Sequence, residues 1–395
     1  MNKAIIISTE VYSDLDEDGR VELVEILEDL IEEENQVCFV SRDAKKLKDI
    51  KEEIGNDKFY YKLRYQLDDT MKKNTGKEHY FVVLGNRDVD FLFAVRNKLL
   101  YLVPEWTVHI NEKSQKYGIM IEDLEMFEEV IKAINNQNEW YYSAELPDGT
   151  KVYSLICAHS RGSIPSDEKE IVEGFEDFLK RGNGKYYKVL LCHFLASISN
   201  SKEFRDINCW GIMPSSGLSL NKDMLEFKER VRYFMGGKIP KALQDKPLEN
   251  NIFVRNEAVT KSHHTSVLQR INQGATRHLS TININPAYYD KKLKSKLKGK
   301  NVCIFDDYLT HGNSFEALRN LLKEAGADKI IFVSLGKFRR DYIYQDYEIN
   351  GDVFEAQGFD YVISHKEIIQ DDEYNDEARE ELTELKNIFT IKDHK

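Results

Sequence analysis

Two adjacent carboxylates, Asp306 and Asp307, stand directly before a short turn that carries hydroxyl groups. The turn contains Thr310, Gly312 and Ser314. Carboxylates accept hydrogen bonds from sugar hydroxyls and help to hold Mg²⁺, whereas hydroxyls and backbone N–H groups of a turn bind phosphate. These residue types in this order predict a site for a phosphorylated sugar, with magnesium as its cofactor.

The elements on either side of the turn predict how this site is positioned. Residues 302–305 are four apolar residues in a row and predict a strand buried on both faces, which the acidic pair ends. Residues 315–325 have apolar side chains at helical spacing and predict a helix. A phosphate in the turn would then lie at the positive end of the helix dipole. The alternative is an ordinary Rossmann-like strand end that happens to be acidic.

The run 302–314 resembles the PRPP-binding signature of the type I phosphoribosyltransferases. That signature has four apolar residues, two acids, two apolar residues and a turn of Thr or Ser with Gly; His311 departs from it, because Thr is usual at that position. The resemblance implies that Asp306 and Asp307 contact the ribose and hold Mg²⁺, directly or through water. It implies that the 5′-phosphate is bound by Tyr308, Leu309, Thr310, His311, Gly312, Asn313 and Ser314.

The sequence from Trp210 to Gly217 predicts a strand that opens into a loop of small residues. In the same family, the loop after the first core strand holds the pyrophosphate of PRPP, which implies this role for Ser215, Ser216 and Gly217. The loop contains no Lys or Arg, so neutralisation of the charge must come from Mg²⁺ or from another part of the chain. A plain turn without a ligand is the alternative.

Residues 255–277 lie between these two loops and are rich in cations. The stretch is similar to one in the phosphoribosyltransferases linked to DNA-uptake competence, where an Arg and an Asn two residues apart precede the acidic motif; Arg270 and Asn272 have this spacing. In type I enzymes this region is a hood whose closure excludes water. The resemblance implies that Arg255, Lys261 or Arg270 offsets the charge of the leaving pyrophosphate. A solvated basic face is the alternative.

The N-terminal third predicts a parallel sheet wound with helices. Strand patterns at 4–7, 37–40, 81–84 and 100–103 alternate with helical patterns such as 44–54. This order resembles the haloacid-dehalogenase-like (HAD-like) phosphatases, although a flavodoxin-like or receiver-like domain has the same alternation.

The resemblance assigns five residues of this third to a degenerate HAD-like site. Ser8 and Glu10 stand where the family has its two aspartates, Ser41 fits the second motif, and Asp88 and Asp90 could fit the acids that bind Mg²⁺. The phosphatase chemistry needs a carboxylate nucleophile to form an acyl phosphate. The first domain is therefore expected to serve packing, ligand sensing or the binding of a protein partner.

The length of 395 residues exceeds what one core usually holds, so two domains are expected. We predict an α/β protein with two Rossmann-like parallel-sheet domains. Residues 1–138 form the HAD-like domain, and residues 139–340 the phosphoribosyltransferase domain with a hairpin and helices inserted at 139–200. Residues 341–395 form a C-terminal extension with an acidic helix. With only 7 prolines and no Gly/Ser-rich linker, the domains are expected to pack closely.

The net charge and the spacing of the cysteines limit which partners and which cellular compartment are expected. A net charge of −12 argues against broad affinity for nucleic acid. The lysine-rich segment 291–300 is interpreted as a solvated helix, with a phosphate-steering patch as the alternative. The 5 cysteines show no C-x-x-C spacing, which predicts a reducing cytoplasm and no zinc ribbon. Since there is no apolar run of 18 residues, no membrane span is expected. A homo-oligomer is possible on the sequence.

These patterns favour an enzyme that transfers phosphoribose from PRPP to an unidentified base-like acceptor, or the reverse reaction on a nucleotide. A phosphoribosyltransferase fused to a phosphatase-like domain suggests, by analogy, a stress or phage-defence pathway. One alternative is a catalytically silent sensor of PRPP or a nucleotide that regulates a partner protein. A third is a HAD-type phosphatase.

Overall fold

The computed structural model describes residues 2–135, 140–159, 169–174, 187–259, 273–370 and 372–390. These residues form two six-stranded sheets with helices around them, so the predicted α/β class is confirmed. Within the described residues, no helix combines the length and the apolar character that crossing a membrane requires.

The first sheet is entirely parallel, as predicted. Its strands are β1 (Ala4–Ser8), β2 (Gln36–Ser41), β3 (Tyr60–Leu63), β4 (Phe81–Leu84), β5 (Leu100–Pro104) and β6 (Ile119–Ile121). Their order across the sheet is β3-β2-β1-β4-β5-β6, so the direction of winding reverses between β1 and β4. Ile5, Ile7 and Phe39 are fully buried, which explains why their strands read as continuous apolar runs.

Local capping sets the ends of one of the helices that connect or follow these strands. The helices are α1 (Thr9–Ser13), α2 (Glu17–Glu32), α3 (Ala44–Ile54), α4 (Arg64–Lys73), α5 (Asp88–Asn97), α6 (Glu112–Tyr117) and α7 (Leu124–Asn135). The Asp43 carboxylate accepts hydrogen bonds from the first backbone N–H groups of α3. Gly55 ends this helix with a φ of 63°, a left-handed conformation that suits glycine. As a result, α3 occupies the span predicted for it.

The second sheet is mixed, and the prediction of an all-parallel second sheet was wrong. Its strands are β7 (Tyr142–Glu145), β8 (Lys151–Cys157), β9 (Cys209–Ile212), β14 (Asn301–Leu309), β15 (Lys329–Lys337) and β18 (Asp372–Tyr374). In the order β18-β7-β8-β15-β14-β9, the last four strands are parallel. The tight turn at Gly149 reverses the chain, so β7 pairs antiparallel to β8, and β18 pairs antiparallel to β7.

In the described part of the chain, three two-stranded ribbons accompany the second sheet. They pair β10 (Phe253–Arg255) with β11 (Ile282–Ile284), β12 (Tyr289–Asp290) with β13 (Lys294–Ser295), and β16 (Ile343–Gly351) with β17 (Phe359–Ile368). The helix expected at 291–300 is therefore not formed. Asp290 accepts hydrogen bonds from the backbone N–H groups of Lys292 and Leu293, and Lys294 has a φ of 66°. Both features turn the chain instead of continuing a helix.

Further helices pack against the second sheet, and some of them share a hydrophobic core with the first sheet. They are α8 (Tyr187–Asn200), α9 (Lys222–Phe234), α10 (Thr276–Leu279), α11 (Asn313–Glu324) and α12 (Glu377–Thr390), the last being the expected acidic helix. Phe127 of α7, Phe194 of α8 and Leu385 of α12 are buried in a cluster that also contains strand residues of both sheets. The sheets therefore pack closely, as the absence of a flexible linker predicted.

Candidate functional site

The two loops singled out in the sequence lie side by side at one edge of the second sheet. Strands β9 and β14 are parallel neighbours whose register pairs Ile212 with Phe305. Their carboxyl ends therefore reach the same edge, and a cavity of about 680 Å³ lies between the segments that follow. Strand β14 continues through Asp306 to Leu309, so the acidic pair does not end the strand as expected.

This β9–β14 cavity collects most of the residues predicted for the site. It is lined by Ser215, Ser216, Arg255, Asp306, Asp307, Tyr308, Leu309, Thr310, His311, Gly312, Asn313 and Ser314. Gly217 is exposed and does not line it. Lys261, Arg270 and Asn272 lie outside the described residues.

The acidic pair is held in place by the backbone beside it. Asp306 is half-buried and accepts a hydrogen bond of 2.9 Å from the N–H of Asp307. The exposed Asp307 accepts one of 2.6 Å from the N–H of Tyr308. Burial, followed by the charge of Asp307, raises the pKa of Asp306 well above its usual range, while a hydrogen bond with Ser314 acts in the opposite direction. A nearby positive charge would therefore stabilise the ionised form of this carboxyl group.

A magnesium ion would supply such a charge. The residues present fit a magnesium ion that is bound together with a phosphorylated ligand. No group of three or more His, Cys, Asp or Glu side chains in the described part of the chain is placed to hold a metal ion alone. Mg²⁺ usually keeps several waters and substrate phosphates and needs only one or two carboxylates. Asp306 and Asp307 can provide these, directly or through water.

The start of α11 offers backbone N–H groups to the cavity. Gly312 occupies the N-cap with a φ of +83°, and no described side chain caps the helix there. The first N–H groups of a helix have no acceptor within the helix. A Cβ atom on Gly312 would lie 2.5 Å from the ring of Tyr342, so glycine is required for both its conformation and its size. An anion fits at this helix start, where the dipole is also favourable.

Two buried polar side chains donate hydrogen bonds to the segment 308–314 that joins β14 to α11. The Nζ of Lys337 donates hydrogen bonds to the carbonyl oxygens of Thr310 (3.0 Å), Phe338 (2.7 Å) and Arg340. The Nε2 of Gln345 donates to the Oδ1 of Asn313 at 2.9 Å. Because these contacts come from β15 and β16, the turn is fixed by strands that lie outside the sequence motif.

The charge that the 214–217 loop lacks is provided by Arg255 of β10. This arginine is only 5% exposed, and its Nε donates a hydrogen bond of 2.6 Å to the carbonyl oxygen of Ser215. Its terminal nitrogens donate to the carbonyl oxygen of Pro214 (3.3 Å) and to the Oγ1 of Thr281 (2.7 Å). A permanent positive charge therefore lies beneath the loop, held there by three acceptors.

Sequence reasoning gave no role to Arg277 and His278 of α10, which also line the cavity. Burial and the charge of Arg277 lower the pKa of Arg255 to about 10. His278 lies with its Nδ1 3.4 Å from the Nη2 of Arg255. Burial, followed by the charges of both arginines, lowers the pKa of His278 to about 3, so the imidazole is neutral. Only the cationic character of 255–277 pointed to this side of the cavity.

The first two residues predicted for the N-terminal site are neighbours in space. The buried Ser8 donates a hydrogen bond of 2.9 Å to the Oε2 of Glu10. The Oε1 of Glu10 lies 3.8 Å from the Nζ of Lys46 and 3.7 Å from the Nη2 of Arg87. The side chain of Ser41 accepts a hydrogen bond of 3.1 Å from the N–H of Asp43.

The other two residues of this group occupy the first turn of α5. Asp90 is buried, forms an ion pair with Arg64 and accepts a hydrogen bond of 3.1 Å from the N–H of Arg87. The N–H of Asp88 donates to Asn111 at 3.1 Å. Protein cations already face Glu10 and Asp90, so a metal ion at these carboxylates would have to displace those cations.

No protein-family model matches the chain, and no curated protein matches it. Its function is therefore inferred from the site itself.

Proposed function

We propose that the β9–β14 cavity binds PRPP or a nucleotide with Mg²⁺, and that the protein transfers phosphoribose to or from a base-like acceptor. One observation carries this proposal. The acidic pair and the start of α11 face the same cavity as Ser215 and Ser216. Almost ninety residues separate Ser216 from Asp306 in the sequence. The volume of about 680 Å³ lies in the range of small-molecule sites.

Each part of the cavity suits one part of PRPP. The 5′-phosphate would accept hydrogen bonds from the backbone at the start of α11 and from the hydroxyls of Thr310 and Ser314. The ribose hydroxyls would donate to Asp306 and Asp307. The pyrophosphate would lie at Ser215 and Ser216, above the charge of Arg255. The sugar carbon C1′ would then lie between the two loops.

The reaction requires little covalent participation by the protein. A bond forms between a nitrogen of the base and C1′, the bond from C1′ to the pyrophosphate oxygen breaks, and the base loses a proton. Positive charge develops on the ribose and negative charge on the leaving group. The two carboxylates beside the ribose and the arginines near the pyrophosphate stabilise these charges, so catalysis depends on positioning and electrostatics. Bound Mg²⁺ would add positive charge beside the leaving group.

Release of pyrophosphate tests the proposal. The full chain is incubated with PRPP, Mg²⁺ and a panel of purine, pyrimidine and nicotinamide-type bases, and pyrophosphate is measured. Release that depends on one of the bases and is lost in Asp306→Asn/Asp307→Asn supports the transferase. Release that is equal in this variant would contradict it.

A silent sensor is the second candidate, and one observation favours it. The donors of Arg255 are directed at Ser215, Pro214 and Thr281, which leaves this arginine to hold the loop more than to touch a leaving group. A sensor would bind PRPP or a nucleotide at the same residues without releasing pyrophosphate with any base. Binding together with release would exclude it.

For the first sheet, we propose a degenerate relative of the HAD-like phosphatases. The position of β1 between β2 and β4 supports this, because Ser8, Ser41 and Asp88 then end or follow neighbouring strands. The ion pairs of Glu10 and Asp90 favour a domain without phosphatase activity.

A further inference from the structure

A second cavity, of about 380 Å³, opens in the first sheet unit, and three arginines line it. Arg42 follows β2, Arg64 follows β3, and Arg96 lies near the end of α5. Tyr65 and Leu92 line the same cavity. The residues of the degenerate HAD-like site do not line it, although Asp90 contacts Arg64. We call it the arginine cavity.

The arginines of this cavity have N–H donors that no acceptor among the described residues uses. Within the described chain, the exposed Arg42 makes no hydrogen bond or ion pair. Arg96 lies 3.5 Å from Asp68, but both side chains are more than half exposed, so this pair is weak. Arg64 uses one terminal nitrogen for Asp90. An anion in the cavity could accept hydrogen bonds from terminal nitrogens of the three arginines that line it.

The position in the fold favours a small ligand. The carboxyl ends of parallel strands are where open α/β sheets bind ligands, and Arg42 and Arg64 directly follow two adjacent parallel strands. Helix α4 begins at Arg64, so the positive end of its dipole adds to the charge of the arginines. The volume lies at the lower end of the range for small-molecule sites.

The character of the cavity lining narrows the class of ligand. The planar fork of an arginine matches a phosphate group through two parallel hydrogen bonds. Tyr65 is 71% exposed and Leu92 is 46% exposed, so an aromatic and an apolar surface lie open in the same cavity. Aromatic side chains bind nucleobases by stacking, whatever the base. Phosphate donors beside such a surface suit a ligand that has both a phosphate and a planar ring.

We propose that the arginine cavity binds a mononucleotide, with its phosphate between Arg42, Arg64 and Arg96 and its base against Tyr65 and Leu92. This site is separate from the β9–β14 cavity and uses none of its residues. Two ligand sites on sheets that share one core would let the first sheet unit respond to a nucleotide.

Calorimetric titration of the full chain with AMP in the absence of Mg²⁺ tests the proposal. The Arg42→Gln/Arg96→Gln variant is expected to bind AMP at least about tenfold more weakly, since each arginine loses a charge-assisted hydrogen bond. Both side chains are exposed, so the variant keeps its fold. Asp68→Asn is expected to tighten binding, because it removes the carboxylate that competes for Arg96.

Lys48→Gln/Lys72→Gln is the matched control. It removes the same charge from exposed positions in the same unit that do not line the cavity, and it should bind AMP like the wild type. Equal weakening in both double variants would overturn the proposal, as would a wild type that does not bind AMP. Loss of AMP binding in Asp306→Asn/Asp307→Asn but not in the arginine variant would assign the binding to the β9–β14 cavity instead. Binding of inorganic phosphate as tight as that of AMP would exclude a base site.

Discussion

Arg255 and Ser215 are joined by a hydrogen bond of 2.6 Å, from the guanidinium Nε to a backbone carbonyl oxygen. The bond connects β10 to the loop after β9, across 40 positions of the chain. It brings a buried positive charge to a loop that has none of its own. The shape of this loop and the charge beneath it are therefore set by the same residue.

Arg255→Lys is expected to weaken PRPP binding at least about tenfold, measured by calorimetry with Mg²⁺. A single ammonium group keeps the charge but cannot reach the carbonyl oxygens of Ser215 and Pro214 and the hydroxyl of Thr281 together. Arg230→Lys is the matched control, because Arg230 lies on α9 and pairs with Glu226 outside the cavity lining. Similar affinity in the wild type and both variants would show that the loop does not depend on Arg255.

Gly312→Ala is expected to destabilise the protein and to abolish binding of the 5′-phosphate. The positive φ costs about 1 kcal/mol for any L side chain, and the contact with the Tyr342 ring adds about 1–3 kcal/mol. Gly299→Ala is the control, since Gly299 has a φ of +67° with open space around it. Urea denaturation compares the free energies of unfolding. Equal losses in the two variants would mean that the ring contact is relieved without cost.

Because of His278, the free energy of unfolding is expected to decrease in mild acid. The pKa of His278 is about 3 in the folded protein and has its ordinary value of 6.5 in the unfolded chain. The unfolded chain therefore binds more protons between these two pH values. Stability therefore falls as the pH drops below about 6.5, by about 2 kcal/mol from this residue between pH 7 and pH 5.

His278→Gln should remove this contribution while keeping a polar side chain beside Arg255. Urea denaturation of the wild type and the variant at pH 7 and pH 5 measures it as the difference between the two losses. If the variant loses as much stability as the wild type over this interval, His278 is not the group that titrates.

The parts of the site that follow from local sequence were predicted, and those that depend on distant packing were not. The buried run, the acidic pair, Gly312 and the helical spacing lie within 302–325, and β14, the turn and α11 follow there. Nothing local shows that Lys337 reaches the carbonyl of Thr310, or that Arg277 lines the cavity. The hairpin predicted within 139–200 is formed by β7 and β8. The antiparallel pairing of β18 with β7 joins residues more than 200 positions apart, so this pairing could not be inferred from strand patterns.

No Mg²⁺-dependent phosphatase activity is expected from the first sheet unit. Glu10 lies near Lys46 and Arg87, and Asp90 pairs with Arg64, so these two carboxylates already face protein cations. Release of phosphate from a general phosphomonoester substrate measures this activity. Release that survives Asp306→Ala but is lost in Asp88→Ala or Asp90→Ala would contradict the expectation and establish a phosphatase.

The most direct test of the transferase site is calorimetric titration with PRPP, with and without Mg²⁺. The wild type and the surface control Glu17→Ala/Asp18→Ala, altered at exposed acids of α2, are expected to bind PRPP in a Mg²⁺-dependent way. Asp306→Ala/Asp307→Ala is expected to lose this binding. A wild type that does not bind PRPP, or a variant that binds it equally well, would contradict the assignment of the β9–β14 cavity.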